Sequence, residues 1–226
     1  MGEVIRRNAS VEDIHADVRT TMTSATARGG AWAEVAEEQL GPVLGLIDLV
    51  QTRLGQTEQE LIPLEAALAA ADETADRLVG KVSDDTWNAV GRPGSDPVLS
   101  LLYPGGIRYY TGGSVDEQPE RMDLLADLLK IGLHKKLDPE TAKVSSREVR
   151  EGAASLRSAV DAARVPRVRA EMLRRMRTAV ARHAQMELVN LKRRYKIKGL
   201  SEAEIHAVIP DRSRPAPSKP GGSPAS

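Results

Sequence analysis

Side chains able to contact a ligand are concentrated near the middle of the 226-residue chain, in the segment from Trp87 to Gly113. This segment holds three of the four tyrosines, one of the two tryptophans, six glycines and three prolines. Phenol, guanidinium and carboxylate groups beside exposed backbone amides could line a pocket or bind an anion. Alternatively, the rings complete the core, because a chain without Phe has few large rings. The candidate ligand or contact residues are Arg92, Asp96, Tyr103, Arg108, Tyr109 and Tyr110.

Positive charge is concentrated in a second segment, residues 164–198, which contains 12 Lys and Arg against two acidic residues. Residues 1–163 contain 17 Lys and Arg against 27 Asp and Glu, so an acidic body precedes a basic segment. Such cations could bind a nucleic-acid backbone, dock on an acidic surface of this chain or a neighbouring copy, or form a solvated face. The candidate partner-binding residues are Arg167, Arg174, Arg175, Arg182, Lys192, Arg193 and Arg194.

The motifs of common catalytic and metal sites are missing. The chain has no Cys, which excludes thiolate metal sites, and it lacks both common glycine-rich phosphate-binding patterns. Neither G-x-S-x-G nor H-E-x-x-H is present. Glu12 and His15 have the Glu-x-x-His spacing of di-iron bundles, but such a site needs two pairs. We therefore expect no catalytic residue, cofactor or metal, and a non-enzymatic role is favoured.

Apolar periodicity predicts helices through most of the chain. Capping boxes at Thr57–Glu60 and Ser145–Glu148 predict helix starts, as does Pro166 for the basic helix. The predicted helices span 11–27, 31–54, 57–80, 83–87, 119–136, 145–163, 167–196 and a short piece after Ser201.

Within the central segment, Asp96-Pro97 predicts the N-cap and first residue of a short helix that ends before Pro104. Residues 107–111 have the β-branched and aromatic content of an extended strand. Glycine pairs at 105–106 and 112–113 bound that strand. The whole segment is therefore expected to be an ordered insert.

The expected fold is mainly α, a multi-helix bundle with a central Gly/Pro/Tyr-rich ordered insert and a long basic C-terminal helix. A single helical domain is predicted at 10–209, with a first helical group at 10–90, the irregular insert at 91–115 and a second helical group at 116–209. An N-terminal arm is predicted at 1–9, and the composition of 210–226 predicts a disordered tail.

The leading functional hypothesis is a non-enzymatic helical interaction or structural protein. Its acidic body and basic helix would mediate self-assembly into an oligomer or docking to a protein partner. The first alternative is a nucleic-acid-binding module that uses the helix at 167–198, and the second is a small-molecule-binding protein or enzyme that uses the insert. Without cysteine, a secretory leader or a membrane-length apolar run, the chain is expected to be cytoplasmic and to have no membrane partner.

Overall fold

The computed structural model of the chain describes residues 9–210, and helix is the only regular secondary structure in that range. The prediction of a mainly α fold is therefore confirmed. The predicted disordered tail lies almost wholly outside the described residues, as does the N-terminal arm. The helices are α1 (Val11–Arg28), α2 (Gly30–Ala89), α3 (Pro97–Leu102), α4 (Arg108–Thr111), α5 (Gln118–Ile131), α6 (Pro139–Ile197) and α7 (Glu202–His206).

Helix α2 is 60 residues long and runs through two predicted breaks, so the predicted helix starts at Thr57 and Ser83 are wrong. A capping box is a local signal, and Thr57 is buried in the middle of the helix instead. Packing decides between a broken and a continuous helix. A row of buried residues along one face of α2 continues across both predicted breaks and favours one uninterrupted helix. That row has a residue at every seventh position: Leu54, Leu61, Leu68, Ala75 and Val82.

Helix α6 is 59 residues long and contains Pro166, so the predicted helix starts at Ser145 and Pro166 are also wrong. The helix begins earlier, where the Asp138 carboxylate accepts a hydrogen bond from the backbone N of Thr141 at 3.0 Å. An interior proline removes one backbone hydrogen bond. Burial of Ala163 and Ala170 on either side of Pro166 continues the packed face and offsets that loss.

Residues 108–111 form α4, with Ile107 as its N-cap, so the extended strand predicted at 107–111 is wrong. β-propensity measures how well a side chain fits a pleated, half-buried surface, and no neighbouring strand offers one within residues 9–210. Tyr110 is buried against the core, which fixes this segment as a helical turn. The predicted helix after Asp96 is confirmed as α3, with Pro97 at its first position.

The chain divides into two compact units, each with its own core. Unit 1 comprises residues up to Gly55 and from Glu171 onward, and unit 2 comprises Gln56–Ala170. In unit 1, the Tyr195 ring packs on Trp32 with 4.5 Å between centroids, and its hydroxyl donates to the Trp32 carbonyl at 2.9 Å. The core of unit 1 also includes Ile14, Val18, Leu40, Val43, Ile47, Ala184, Leu188, Leu191, Ile205 and Val208.

Unit 2 packs α3, α4 and α5 with its parts of α2 and α6. Gly152 of α6 marks a close approach, because a Cβ there would lie 2.5 Å from Leu78 Cδ2 and 3.2 Å from Met122 Cε. The predicted extent of the domain, 10–209, stays a prediction. Among residues 9–210, no helix combines the length and the apolar composition needed to cross a bilayer.

Candidate functional site

Asp96 is the polar centre of the insert. Its Oδ1 accepts from the backbone N of Val98 at 2.8 Å and of Leu99 at 3.1 Å, which caps α3. Its Oδ2 is 3.0 Å from Nε2 of the buried His134. His134 Nδ1 accepts from the backbone N of Lys136 at 3.2 Å, so Nε2 carries the proton and donates to Asp96. The hydrogen bond from His134, together with the two backbone donors, lowers the pKa of Asp96.

Tyr110 closes the core of unit 2. It is fully buried, and its hydroxyl donates to the Leu102 carbonyl at 2.6 Å. Its ring makes edge contacts with Tyr103 at 6.0 Å and with the exposed Tyr109 at 5.0 Å between centroids. Burial raises the pKa of Tyr110 to about 12, so this phenol stays protonated near neutral pH. This tyrosine has the structural role that the sequence left as an alternative.

A cleft of about 380 Å³ lies between the C-terminal end of α2 and α3. Carboxylates, hydroxyls and two aromatic rings line it, without any Lys, Arg or His. The lining residues are Ser83, Asp84, Trp87, Pro93, Gly94, Ser95, Asp96, Leu99, Ser100 and Tyr103.

Trp87 lines this cleft and is held in place by its neighbours. Its indole Nε1 donates to the Pro93 carbonyl at 3.2 Å, and the Arg92 guanidinium lies 5.6 Å from the ring centroid. Arg92 also donates from Nε to Asn88 Oδ1 at 2.7 Å. Arg92 has a φ of 53°, which is unusual for a residue with a side chain. The backbone N of Arg92 donates a hydrogen bond to the Trp87 carbonyl at 2.9 Å, and this bond closes the C-terminal end of α2.

The six residues predicted in the insert do not form one site. Asp96 and Tyr103 line the cleft, and Arg92 lies on the ring of a third lining residue, Trp87. Tyr110 belongs to the core, and Arg108 and Tyr109 are exposed and are not among the cleft's lining residues.

Ser83 and Asp84 were not predicted as site residues, because the sequence pattern indicates a helix start there and not a continuous α2. On a continuous helix, Ser83 and Trp87 are four positions apart and therefore share a face. His134 was not predicted as a site residue either. No local sequence signal marks it, because its partner Asp96 is 38 residues away.

The basic segment is largely paired with acidic residues of the same chain. In unit 2, Arg167 makes two hydrogen bonds of 2.6 Å to the Glu65 carboxylate and lies 3.8 Å from Asp116. Arg169 lies 3.3 Å from Glu60. The hydrogen bond from Arg167 lowers the pKa of Glu65.

The same pairing continues in unit 1. Arg194 contacts Glu38 at 2.5 Å and Gln39 at 2.9 Å. Lys192 and Lys196 lie 2.7 and 2.6 Å from the two oxygens of Glu202. Hydrogen bonds from these two lysines lower the pKa of Glu202 to about 2. A further pair joins Arg177 to Glu12 at 2.7 Å.

The seven predicted partner-binding residues therefore have different surroundings. Arg167, Lys192 and Arg194 pair with acidic residues outside α6, and Arg175 pairs with Glu171 one turn away at 2.8 Å. The remaining three, Arg174, Arg182 and Arg193, have exposed side chains.

In unit 1, α6 has an exposed apolar row opposite its buried row. We call it the outer row of α6. Met172, Met186 and Ile197 are 53%, 63% and 83% exposed. Steps of four and three residues alternate along the row, which is the spacing of a coiled-coil seam. Its members are Met172, Met176, Ala179, His183, Met186, Asn190, Arg193 and Ile197.

In unit 1, α2 also exposes apolar side chains, but among acidic ones. Leu49 is 54% exposed, and Leu46 is exposed beside it. Residues 30–55 contain four acidic residues and one Arg, whereas 171–197 contain eight basic residues and two acidic ones. The exposed surface of α2, which we call the acidic face, comprises Glu34, Glu37, Glu38, Leu46, Asp48 and Leu49. Within the chain, Glu38 pairs with Arg194 and Asp48 pairs with Arg19.

Glu12 and His15 each contact another side chain of unit 1. Glu12 pairs with Arg177, and Nδ1 of the buried His15 lies 2.9 Å from Gln51 Nε2. Burial, together with the nearby Arg177 and Arg19, lowers the pKa of His15. Within the described range, no three His, Asp or Glu side chains are arranged to hold a metal ion.

Comparison with protein-family models, with curated protein sequences and with solved structures gives no match. The cleft in unit 2 and the surfaces of unit 1 are therefore the candidate functional sites of this chain.

Proposed function

We propose that this chain is a helical interaction protein that assembles with further copies of itself. The observation that carries the proposal is the outer row of α6, where large apolar side chains are exposed at coiled-coil spacing. Single exposed apolar residues are common on protein surfaces, but several large ones on the same face of one helix are typical of an interaction site.

Charge complementarity supports the acidic face of α2 in a second copy as the surface that the outer row contacts. Arg182 and Arg193 are exposed on or beside the outer row, and Glu34 and Glu37 are exposed on the acidic face. Opposite charges steer association and set its register. Two outer rows facing each other would instead place cations against cations, which disfavours a symmetric contact through α6.

Contact between two different surfaces is heterologous and leads to rings or open chains. Both surfaces include polar positions, such as His183 and Asn190 in the outer row, so the apolar area is modest. Because association must first offset the loss of translational and rotational freedom, we expect a dissociation constant in roughly the micromolar range.

Static light scattering of the full chain tests this proposal. We expect the average mass to rise between about 1 and about 500 µM protein. The rise should be larger at about 50 mM than at about 500 mM salt because the charge contribution is screened. Replacing Met172 and Met186 together by Gln should abolish it, whereas the control Ile131→Gln, at an exposed apolar position on α5, should not. A monomer at every concentration and at both salt levels would rule the proposal out.

Nucleic-acid binding through 167–198 remains the second candidate, and the exposed Arg182 and Arg193 favour it. The internal ion pairs weigh against it, because phosphates would compete with carboxylates that already contact Arg167 and Arg194. Fluorescence anisotropy with DNA and RNA at about 50 mM salt distinguishes the two candidates. Steeply salt-dependent binding would favour the nucleic-acid role, and no binding would remove it.

A further inference from the structure

The cleft between α2 and α3 has features of a built site and is independent of the assembly surfaces in unit 1. It lies entirely within unit 2 and measures about 380 Å³, which is room for a small metabolite-sized molecule.

The charge of the cleft is negative. Asp84 and Asp96 line it, and the lining contains no basic residue. Asp85, the next residue after Asp84, pairs with Lys81 at 3.6 Å and is not part of the lining. A positively charged ligand would therefore meet two carboxylates there.

A largely buried tyrosine adds a second aromatic ring to the wall of the cleft. Tyr103 is only 9% exposed, and its hydroxyl makes no hydrogen bond within residues 9–210. A buried polar group without a partner is disfavoured unless something else supplies the partner. Burial raises the pKa of Tyr103, and the nearby hydroxyls of Thr86 and Ser83 oppose this only in part.

The aromatic wall of the cleft suits an organic cation. Trp87 lines the cleft, and its ring already attracts one cation, the Arg92 guanidinium. Indole rings attract ammonium groups more strongly than the other aromatic side chains do. A bare metal ion fits less well, because no group of three His, Asp or Glu side chains in the described part of the chain is arranged to hold one.

We propose that this cleft binds a small organic cation, an ammonium compound with a short apolar portion. Asp84 and Asp96 attract the ammonium group, and the rings of Trp87 and Tyr103 contact the apolar portion. Leu99 completes the apolar side of the cleft.

The test compares 2-phenylethylamine with 2-phenylethanol, which has nearly the same shape but no charge. The side-chain N–H signals of the two tryptophans are followed by NMR on the full chain. Binding should shift the Trp87 signal, identified with the variant Trp87→Phe, while Trp32 in unit 1 serves as the internal control. We expect the amine to bind up to about fivefold more tightly than the alcohol, the upper end of the effect of one exposed ion pair.

Two neighbouring carboxylates provide matched variants. Asp84→Asn should weaken binding of the amine about fivefold, whereas Asp85→Asn should change it less than about twofold. Both positions are exposed on α2, so both variants should fold. Equal binding of amine and alcohol, equal effects of the two variants, or no shift of the Trp87 signal at about 10 mM amine would each overturn the proposal.

Discussion

His134 Nε2 donates to Asp96 Oδ2 at 3.0 Å, which joins the segment after α5 to the N-terminus of α3. The same carboxylate caps α3 through two backbone hydrogen bonds. One side chain therefore holds a helix end, a buried imidazole and part of the wall of the cleft.

Replacing Asp96 by Ala should destabilise unit 2 more than the loss of a helix cap alone does. The variant leaves the buried His134 without its acceptor, in addition to uncapping α3. Asp138→Ala is the matched control, because Asp138 caps α6 without a buried partner; its free energy of unfolding should fall by about 1 kcal/mol. Urea unfolding measures both variants, and equal losses would contradict the role of the Asp96–His134 bond.

The three tyrosines of the insert should respond differently to replacement by Phe. Tyr110→Phe should lower the free energy of unfolding by about 1–2 kcal/mol, because it leaves the buried Leu102 carbonyl unpaired. Tyr103→Phe should be neutral or stabilising, since its hydroxyl is buried without a partner in the described part of the chain. The exposed Tyr109 is the control. Urea unfolding in which Tyr103→Phe costs as much as Tyr110→Phe would be evidence against these assignments.

Two glycines in unit 2 helices should have opposite effects when replaced by Ala. Gly80→Ala should stabilise by about 0.5–1 kcal/mol, because a Cβ there meets nothing within 4 Å and Ala favours helix. Gly152→Ala gains the same helix preference but places Cβ against Leu78 and Met122. Overpacking of this kind costs about 1–3 kcal/mol, so the net effect should be roughly zero to 2 kcal/mol of destabilisation. Thermal unfolding that gave both variants the same sign would show that α6 does not approach Leu78 this closely.

Glu202 should make stability depend on pH under acidic conditions. Its pKa falls from an ordinary 4.5 to about 2 through Lys192 and Lys196. Its contribution to stability is therefore present above about pH 4.5 and is lost as the pH falls toward 2. Carboxyl NMR titration should show this low pKa, and Lys192→Met should raise it toward 4.5. A pKa that does not move in the variant would mean that the Lys192 contact is absent in solution.

Helices were predictable wherever the local signal and the packing agree. Asp96-Pro97 marks the start of α3, and the helix predicted from residue 11 is α1, which Ser10 caps. A helix start was wrongly predicted at Thr57, where a local capping signal lies within a continuous row of buried residues. Packing along α2 outweighs the capping preference there. An extended strand was wrongly predicted around Tyr110, because burial of this side chain in a helical turn outweighs its strand preference.

The candidate site was only partly predictable from the sequence. Tyr103 was identified because tyrosine is rare in this chain, and Asp96 was identified because it lies among the glycines, prolines and tyrosines of the insert. Asp84 could not be identified as a lining residue, since that requires the packing of α3 beside α2. Likewise, the excess of cations was visible in the sequence, but their pairing, such as Arg167 with Glu65, involves residues about a hundred positions apart.

We propose that the outer row of α6 contacts the acidic face of α2 in a second copy. Sedimentation velocity of two variants, alone and mixed, tests it most directly. One variant carries Met172→Gln and Met186→Gln, and the other carries Leu46→Gln and Leu49→Gln. Each variant alone should be monomeric, and the equimolar mixture should form a dimer, because each partner supplies the surface that the other has lost. A mixture that stays monomeric, or a single variant that still assembles, would contradict the account.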